Sequence, residues 1–301
     1  MSTPHWMPNF FIVGVPKAGT SSLHTWLAAH PDAFGSKDKE TCFFADPDTH
    51  IYRKDFNVSQ GLGAYAQQFT VPEHASPQVI FESTPAYIYQ NTALNEIPAL
   101  ASTPRCLFIL REPAAQIASV HRYYQNNWSM IPADMDLTAY VRVLHDKAND
   151  FSGNELAREA LTNAKYLPYL RRWQQALGPG RMKVMTFEAM KQDNRAFMRE
   201  ISVWLGLDPS FYDTYDFPHE NESYQPRSRA LQRINIALRG LLPKRLFYEQ
   251  LRRLYRRANT TAPDVMSDAD RDTLARLRQE FTDDNARLAD EFHLDLSAWT
   301  R

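Results

Sequence analysis

The chain has 301 residues, 44% of them hydrophobic and 23% charged, with a formal net charge of −1. That length is ample for a buried core, and the near-neutral balance excludes a global field that would draw nucleic acid. No early basic-then-apolar segment resembles a secretion signal, and no apolar run reaches the roughly 18 residues of a membrane span. Cys42 and Cys106 both lie in apolar surroundings, which predicts reduced core thiols in a cytoplasmic protein.

In chain order, the apolar run Phe10 to Val13 predicts a buried strand. A loop with Gly14, Pro16, Lys17 and Gly19 follows, then a helix with Leu23, Trp26 and Leu27 at helical spacing that stops at Pro31. Strand, glycine loop and helix make a phosphate cradle. Free N–H groups of the first helical turn point at the loop, the helix dipole adds positive charge, and Gly19 permits close backbone approach to an anion. Lys17, Thr20, Ser21 and Ser22 add a cation and three hydroxyls. In nucleotide triphosphatases the lysine follows the second glycine and a hydroxyl holds magnesium. Here Thr20 follows Gly19 and the lysine sits inside the loop, which weighs against a magnesium-dependent kinase.

Residues 32–46 form a charged loop leading into a short apolar strand or turn, with Lys37, Lys39 and Glu40 as candidates for a neighbouring site. Residues 46–78, broken by prolines, predict loop plus one short helix. Further strands are expected at Val79 to Ser83, Arg105 to Leu110 and Met182 to Phe187. Between them Ile117, Val120 and Tyr124 mark the buried side of a helix opened by Pro113, and Tyr166 to Leu177 is amphipathic. Phe197, Ile201 and Leu205 mark one more helix, closed by Gly206. This alternation predicts an α/β fold with a central parallel sheet flanked by helices, where ligands bind outside the carboxyl ends of strands. Gly14 to Ser22, Ser83 to Tyr87 and Arg111 all take that position.

From Gln225 the character changes. Residues 227–257 carry ten arginines and lysines against Glu249 alone, and Leu231, Ile234 and Leu238 give them an apolar stripe. A helical hairpin with a solvated basic face is expected, or contact with an anionic substrate or a membrane surface. A last helix spans about Ser267 to Phe292, with Leu274, Leu277, Phe281 and Leu288 inward. The whole is expected to be one domain, core 9–210 with a helical extension over 225–301.

Five stretches resemble the heparan-sulfate class of sulfotransferases that use 3′-phosphoadenosine 5′-phosphosulfate (PAPS). They are Gly-Val-Pro-Lys-Ala-Gly-Thr-Ser-Ser-Leu (14–23), Lys-Glu-Thr-Cys-Phe-Phe (39–44), Gln-Gly-Leu-Gly-Ala-Tyr (60–65), Glu-Ser-Thr-Pro-Ala-Tyr (82–87) and Phe-Ile-Leu-Arg-Glu-Pro (108–113) with Ser119. The resemblance implies a fold related to P-loop kinases that works without a metal. It implies that Lys17, Ala18, Gly19, Thr20, Ser21 and Ser22 hold the 5′ end of the donor, that Arg111 and Ser119 hold its 3′-phosphate, and that Glu40 is the catalytic base.

The residues fit those roles on chemical grounds. Lys17 can neutralise charge on a leaving phosphate oxygen, Arg111 offers fork-shaped contacts to a phosphate, and Ser119 adds a neutral donor. Glu40 is expected to lie partly buried among Phe43 and Phe44, whereas His24 and His121 read as structural, with His121 kept as a candidate because it is close in sequence to Ser119. Lys39, Ser83 and Tyr87 are candidates for contact with the acceptor, a hydroxyl compound such as a carbohydrate or an anionic molecule, or alternatively a phenolic or natural-product hydroxyl; an amine is a further option. Tyr52, Tyr65, Tyr89, Tyr123, Tyr124 and Trp128 suit either an aromatic wall or core packing. Two departures stand out. Glu82-Ser83-Thr84-Pro85 lacks the lysine that the glycosaminoglycan enzymes carry after the glutamate, and their glycine-and-lysine loop over the 3′-phosphate is absent. Arg227 or Arg229 is expected to close over the nucleotide in its place.

Overall fold

The computed structural model describes residues 4–71, 76–218, 225–239, 259–261 and 266–300. Five strands, β1 (Phe10–Gly14), β2 (Ala33–Gly35), β3 (Val79–Glu82), β4 (Arg105–Leu110) and β5 (Met182–Thr186), form one parallel sheet in the order β2-β3-β1-β4-β5. Every residue of β1 and β3 is buried, and so is β4 beyond Arg105. Strands covered on both faces need continuous apolar runs, which is why Phe-Phe-Ile-Val and Cys-Leu-Phe-Ile-Leu stand out in the chain.

Helices cover the faces: α1 (Thr20–Ala28), α2 (Asn91–Ala99), α3 (Pro113–Asn127), α4 (Leu137–Asp146), α5 (Tyr166–Leu177), α6 (Phe187–Gln192) and α7 (Asn194–Leu205). Fully buried Phe11, Phe108 and Trp173 belong to the cluster around the sheet. Trp173 also donates its indole N–H to the Ile88 carbonyl at 3.1 Å, so its one polar atom is satisfied in the core. Truncating such a ring to alanine costs about 3–5 kcal/mol. A second cluster joins Ile117 of α3, Tyr140 of α4 and Phe281 from the C-terminal part.

The strand order places the site. The chain leaves β1 through α1 toward β2, whereas it leaves β4 through α3 toward β5 on the other side. The carboxyl ends of β1 and β4 therefore border the crevice that opens where the winding reverses.

One strand was not expected, and three local expectations need correction. The three-residue β2 lies at Ala33–Gly35, too short for an apolar period, while Phe43 and Phe44 sit in a turn. Ser83 falls just past β3, and Phe187 begins α6 instead of ending β5. The last helix is two, α9 (Asp268–Glu280) and α10 (Thr282–Phe292), hinged at Phe281; α9 packs on α3 and α4, and α10 on α5. Of the basic segment, α8 (Arg229–Arg239) is a helix, whereas Lys244, Arg245, Arg252, Arg253, Arg256 and Arg257 lie outside the described residues. Among the described residues no helix is long and apolar enough to cross a membrane.

Candidate active site

The loop after β1 is tied to the neighbouring strand and helix at three consecutive points. Val15 donates its N–H to the Ile109 carbonyl at 2.8 Å, Gln116 of α3 donates to the Pro16 carbonyl at 3.2 Å, and Arg111 donates to the Lys17 carbonyl at 2.8 Å. Gly19 occupies the cap position of α1 at φ 80°, and among the described residues no side chain caps the first-turn N–H groups. These donors are thus left for an anion. A Cβ on Gly19 would lie 2.2 Å from Met190 Cε and 2.9 Å from the Phe187 ring. Glycine is therefore demanded by the left-handed backbone and by packing on α6, reasons the spacing did not reveal. Thr20 is buried and Ser21 and Ser22 are half-buried at the start of α1, with Ala18 fully buried beneath the loop.

Lys17 lies half-buried with Nζ 3.8 Å from the Tyr123 ring centroid. Burial, reinforced by the Arg111 charge, brings its ammonium down to about 8. Arg111 leaves the carboxyl end of β4, stacks 4.8 Å from the Phe187 centroid and has its own carbonyl held by Tyr166 Oη at 2.8 Å. Burial and then the Arg122 charge work against its ionised form. Ser119 is buried on α3, two turns along. Glu112, between Arg111 and α3, is a helix cap: its carboxylate accepts from the N–H groups of Ala114 and Ala115 at 2.9 and 2.8 Å. The two expected cations therefore meet, joined by a hydrogen bond. Arg122, which the motifs did not single out, adds a third charge felt at both.

Glu82 organises the opposite wall. It is fully buried and accepts hydrogen bonds from Thr41 Oγ1 (2.7 Å), Thr84 Oγ1 (2.6 Å) and the Tyr65 hydroxyl. One carboxylate thus pins residue 41 to the strand end and to residue 65, drawing three of the five motif stretches together. Burial raises its pKa, opposed by those hydrogen bonds. Tyr87 and Ser83, expected to face an acceptor, do not: both have no exposed surface. Tyr87 Oη accepts the Phe44 N–H at 3.1 Å, and Ser83 Oγ lies 2.8 Å from His24 Nδ1, so each serves the wall behind the crevice. Burial, with Lys39 adding, pushes His24 down to about 4, leaving a neutral ring against Phe81. His121 bonds the Met135 carbonyl at 2.8 Å.

Glu40 is not buried among Phe43 and Phe44. Its side chain is 53% exposed and paired with Lys39 at 2.7 Å, because the turn buries both phenylalanines completely and directs residues 39 and 40 outward. Its charge still reaches Lys17 across the crevice mouth. Tyr65, Tyr87 and Tyr124 are core residues, and Tyr123 is the aromatic beside Lys17. Arg229 does not close over the loop either. It donates to Asn126 Oδ1 and Gln232 Oε1, both at 3.1 Å, and so fastens α8 to the end of α3. Arg227 is exposed, with its N–H bonded to the Asn259 carbonyl at 2.9 Å.

The arrangement suits a doubly anionic ligand: uncapped helix donors and Lys17 at one end, Arg111 and Ser119 at the other, and a carboxylate at the mouth. Comparison with known proteins points the same way. A sequence model of the sulfotransferase family matches residues 8–213. The human bifunctional heparan sulfate N-deacetylase/N-sulfotransferase 2 is 24% identical over 208 residues, covering 67% of this chain and 22% of that protein. The corresponding human enzyme 3 is 20% identical over 205 residues, covering 68% and 23%. The chain thus spans less than a quarter of the length of these curated relatives. A crystal structure of a sulfotransferase from Alicyclobacillus acidocaldarius matches with a TM-score of 0.67 at 20% identity, covering 98% of this chain and 99% of that one. The fold is the P-loop-kinase-like fold of those enzymes, as the five motif stretches led one to expect.

Proposed function

Since the chain belongs to the sulfotransferase family, we propose that it moves a sulfo group from PAPS to a hydroxyl of a carbohydrate or another small acceptor. PAPS brings the sulfo group already activated as a mixed anhydride with phosphate. The convergence of Lys17, Arg111 and the uncapped start of α1 on one crevice supports this donor best. Two buried polar atoms without partners among the described residues, Gln116 Oε1 and Arg122 Nε, lie on the helix lining the same crevice and fit a polar ligand there.

In this reading the N–H groups at the start of α1, with Thr20, Ser21 and Ser22, orient the phosphosulfate end. Arg111 and Ser119 hold the 3′-phosphate, so the reacting atoms are fixed from both sides. Lys17 Nζ donates to the bridging oxygen as the sulfur–oxygen bond breaks and charge collects there. Glu40 takes the proton of the acceptor hydroxyl as that oxygen bonds to sulfur in line with the leaving group. Lys39, paired with Glu40, keeps the base at the mouth where the acceptor enters. Both cysteines are free and buried, consistent with a cytoplasmic setting. An amine acceptor is the second reading, favoured by the N-sulfotransferase activity named for the relatives.

Isothermal titration with 3′-phosphoadenosine 5′-phosphate (PAP), without magnesium, tests the donor. Binding by the wild type that Lys17→Ala and Arg111→Ala both weaken is expected. Failure to bind, with ATP–magnesium bound instead, would return the chain to the kinase reading.

A further inference from the structure

The crevice holds a cation that none of the five motif stretches contains. Arg122 lies on α3 one turn beyond Ser119, so the two share a helix face. Helical side chains lean toward the N-terminus, which lays the Arg122 guanidinium over the turn that carries Ser119. Its Nε is buried and has no hydrogen-bond partner among the described residues. Its charge in turn bears unfavourably on both Lys17 and Arg111. Asp270 of α9 is the acidic group that offsets it, yet no hydrogen bond joins the two, and Asp270 Oδ1 is likewise buried without a partner. A buried guanidinium donor left unpaired near two further cations is costly unless an anion completes the site.

We propose that Arg122 is a third ligand of the phosphate held by Arg111 and Ser119, and so a determinant of selectivity for a 3′-phosphorylated nucleotide. This rests on the donor reading above. It also supplies the cation that was sought in Arg227 and Arg229. Three features agree on it: the shared face with Ser119, the orphaned donor, and the field at Arg111. Asp270 plays a positioning part, drawing the guanidinium toward α9 without consuming its donors.

The test is titration of the full chain with PAP and with adenosine 5′-phosphate, which lacks only the 3′-phosphate. Wild type, Arg122→Ala, Arg122→Gln and Arg122→Lys are compared, with Arg111→Ala as reference. Losing a charge-assisted contact should weaken PAP about tenfold or more in Arg122→Ala and Arg122→Gln, leave adenosine 5′-phosphate unchanged, and be partly restored in Arg122→Lys. An equal loss for both nucleotides, or none, overturns the assignment. Failure of the wild type to prefer PAP, or an Arg111→Ala protein that binds it normally, overturns the donor reading and this inference with it. A loss specific to PAP in Arg111→Ala with no such loss in the Arg122 variants overturns this inference alone.

Discussion

Raising the pH from about 7 to about 9 should weaken PAP binding about tenfold, and Lys17 should be the cause. Burial and the Arg111 charge hold its ammonium at about 8 in the free protein. Roughly nine in ten molecules carry the charge at about pH 7 and roughly one in ten at about pH 9. A bound phosphate favours the ammonium and raises its pKa in the complex, so association takes up a proton above about pH 8. Affinity therefore falls as the pH rises, by about 1.4 kcal/mol over that interval. His24 is already neutral throughout, being held at about 4, and does not contribute. Titration calorimetry in buffers of different ionisation heat reads both the affinity and the proton uptake. Lys17→Arg stays charged at every pH used and should give a flat profile. A flat wild-type profile, or a Lys17→Arg protein with the wild-type slope, would refute the reasoning.

Glu40→Gln should lower kcat by about two to four orders of magnitude and leave the Kd for PAP nearly unchanged, since the proposed base would touch the acceptor and not the donor; a weakened Kd would move Glu40 to the donor side. Glu82→Gln should destabilise the fold by about 1–3 kcal/mol in urea denaturation, because an amide nitrogen cannot accept the Tyr65 hydroxyl. Unchanged stability would show that the carboxylate is not the organiser of that wall. Gly19→Ala forces a Cβ to within 2.2 Å of Met190 at a positive φ, and should cost about 2 kcal/mol or more and lower the melting temperature. Restoration of the melting temperature by Met190→Ala in the same chain would apportion the loss to packing rather than to backbone.

The sheet was legible because parallel strands buried on both faces leave long apolar runs, as at Phe10–Val13 and Cys106–Leu110. Strand β2 was not: three residues at the sheet edge carry no period, and its place beside β3 follows from pairing distant in sequence. The glycine loop after β1, and Arg111 beside it, were legible as structure because backbone geometry there is set locally. Roles set by tertiary burial were not. Ser83 and Tyr87 sit in a motif but point into the wall, held by His24 and by the Phe44 N–H. Glu82 looked like one acid among many, yet its three hydroxyl donors come from residues 41, 65 and 84, which only the fold assembles. Arg122 escaped notice because unsatisfied hydrogen bonding has no signature in a linear chain. The break at Phe281 was hidden because the inward spacing of Leu274, Leu277, Phe281 and Leu288 continues across it.

The hydrogen bond from Arg111 to the Lys17 carbonyl has a consequence for any mutational dissection of the crevice. In the proposed reading, the guanidinium assigned to one end of the nucleotide also sets the backbone carrying the lysine assigned to the other. In a double-mutant cycle, Lys17→Ala and Arg111→Ala should therefore show a coupling energy of about 0.5–3 kcal/mol instead of adding independently. The spacing between the two proposed anchors is held like the span of a caliper, so a nucleotide whose charged ends are separated differently should meet one jaw or the other but not both.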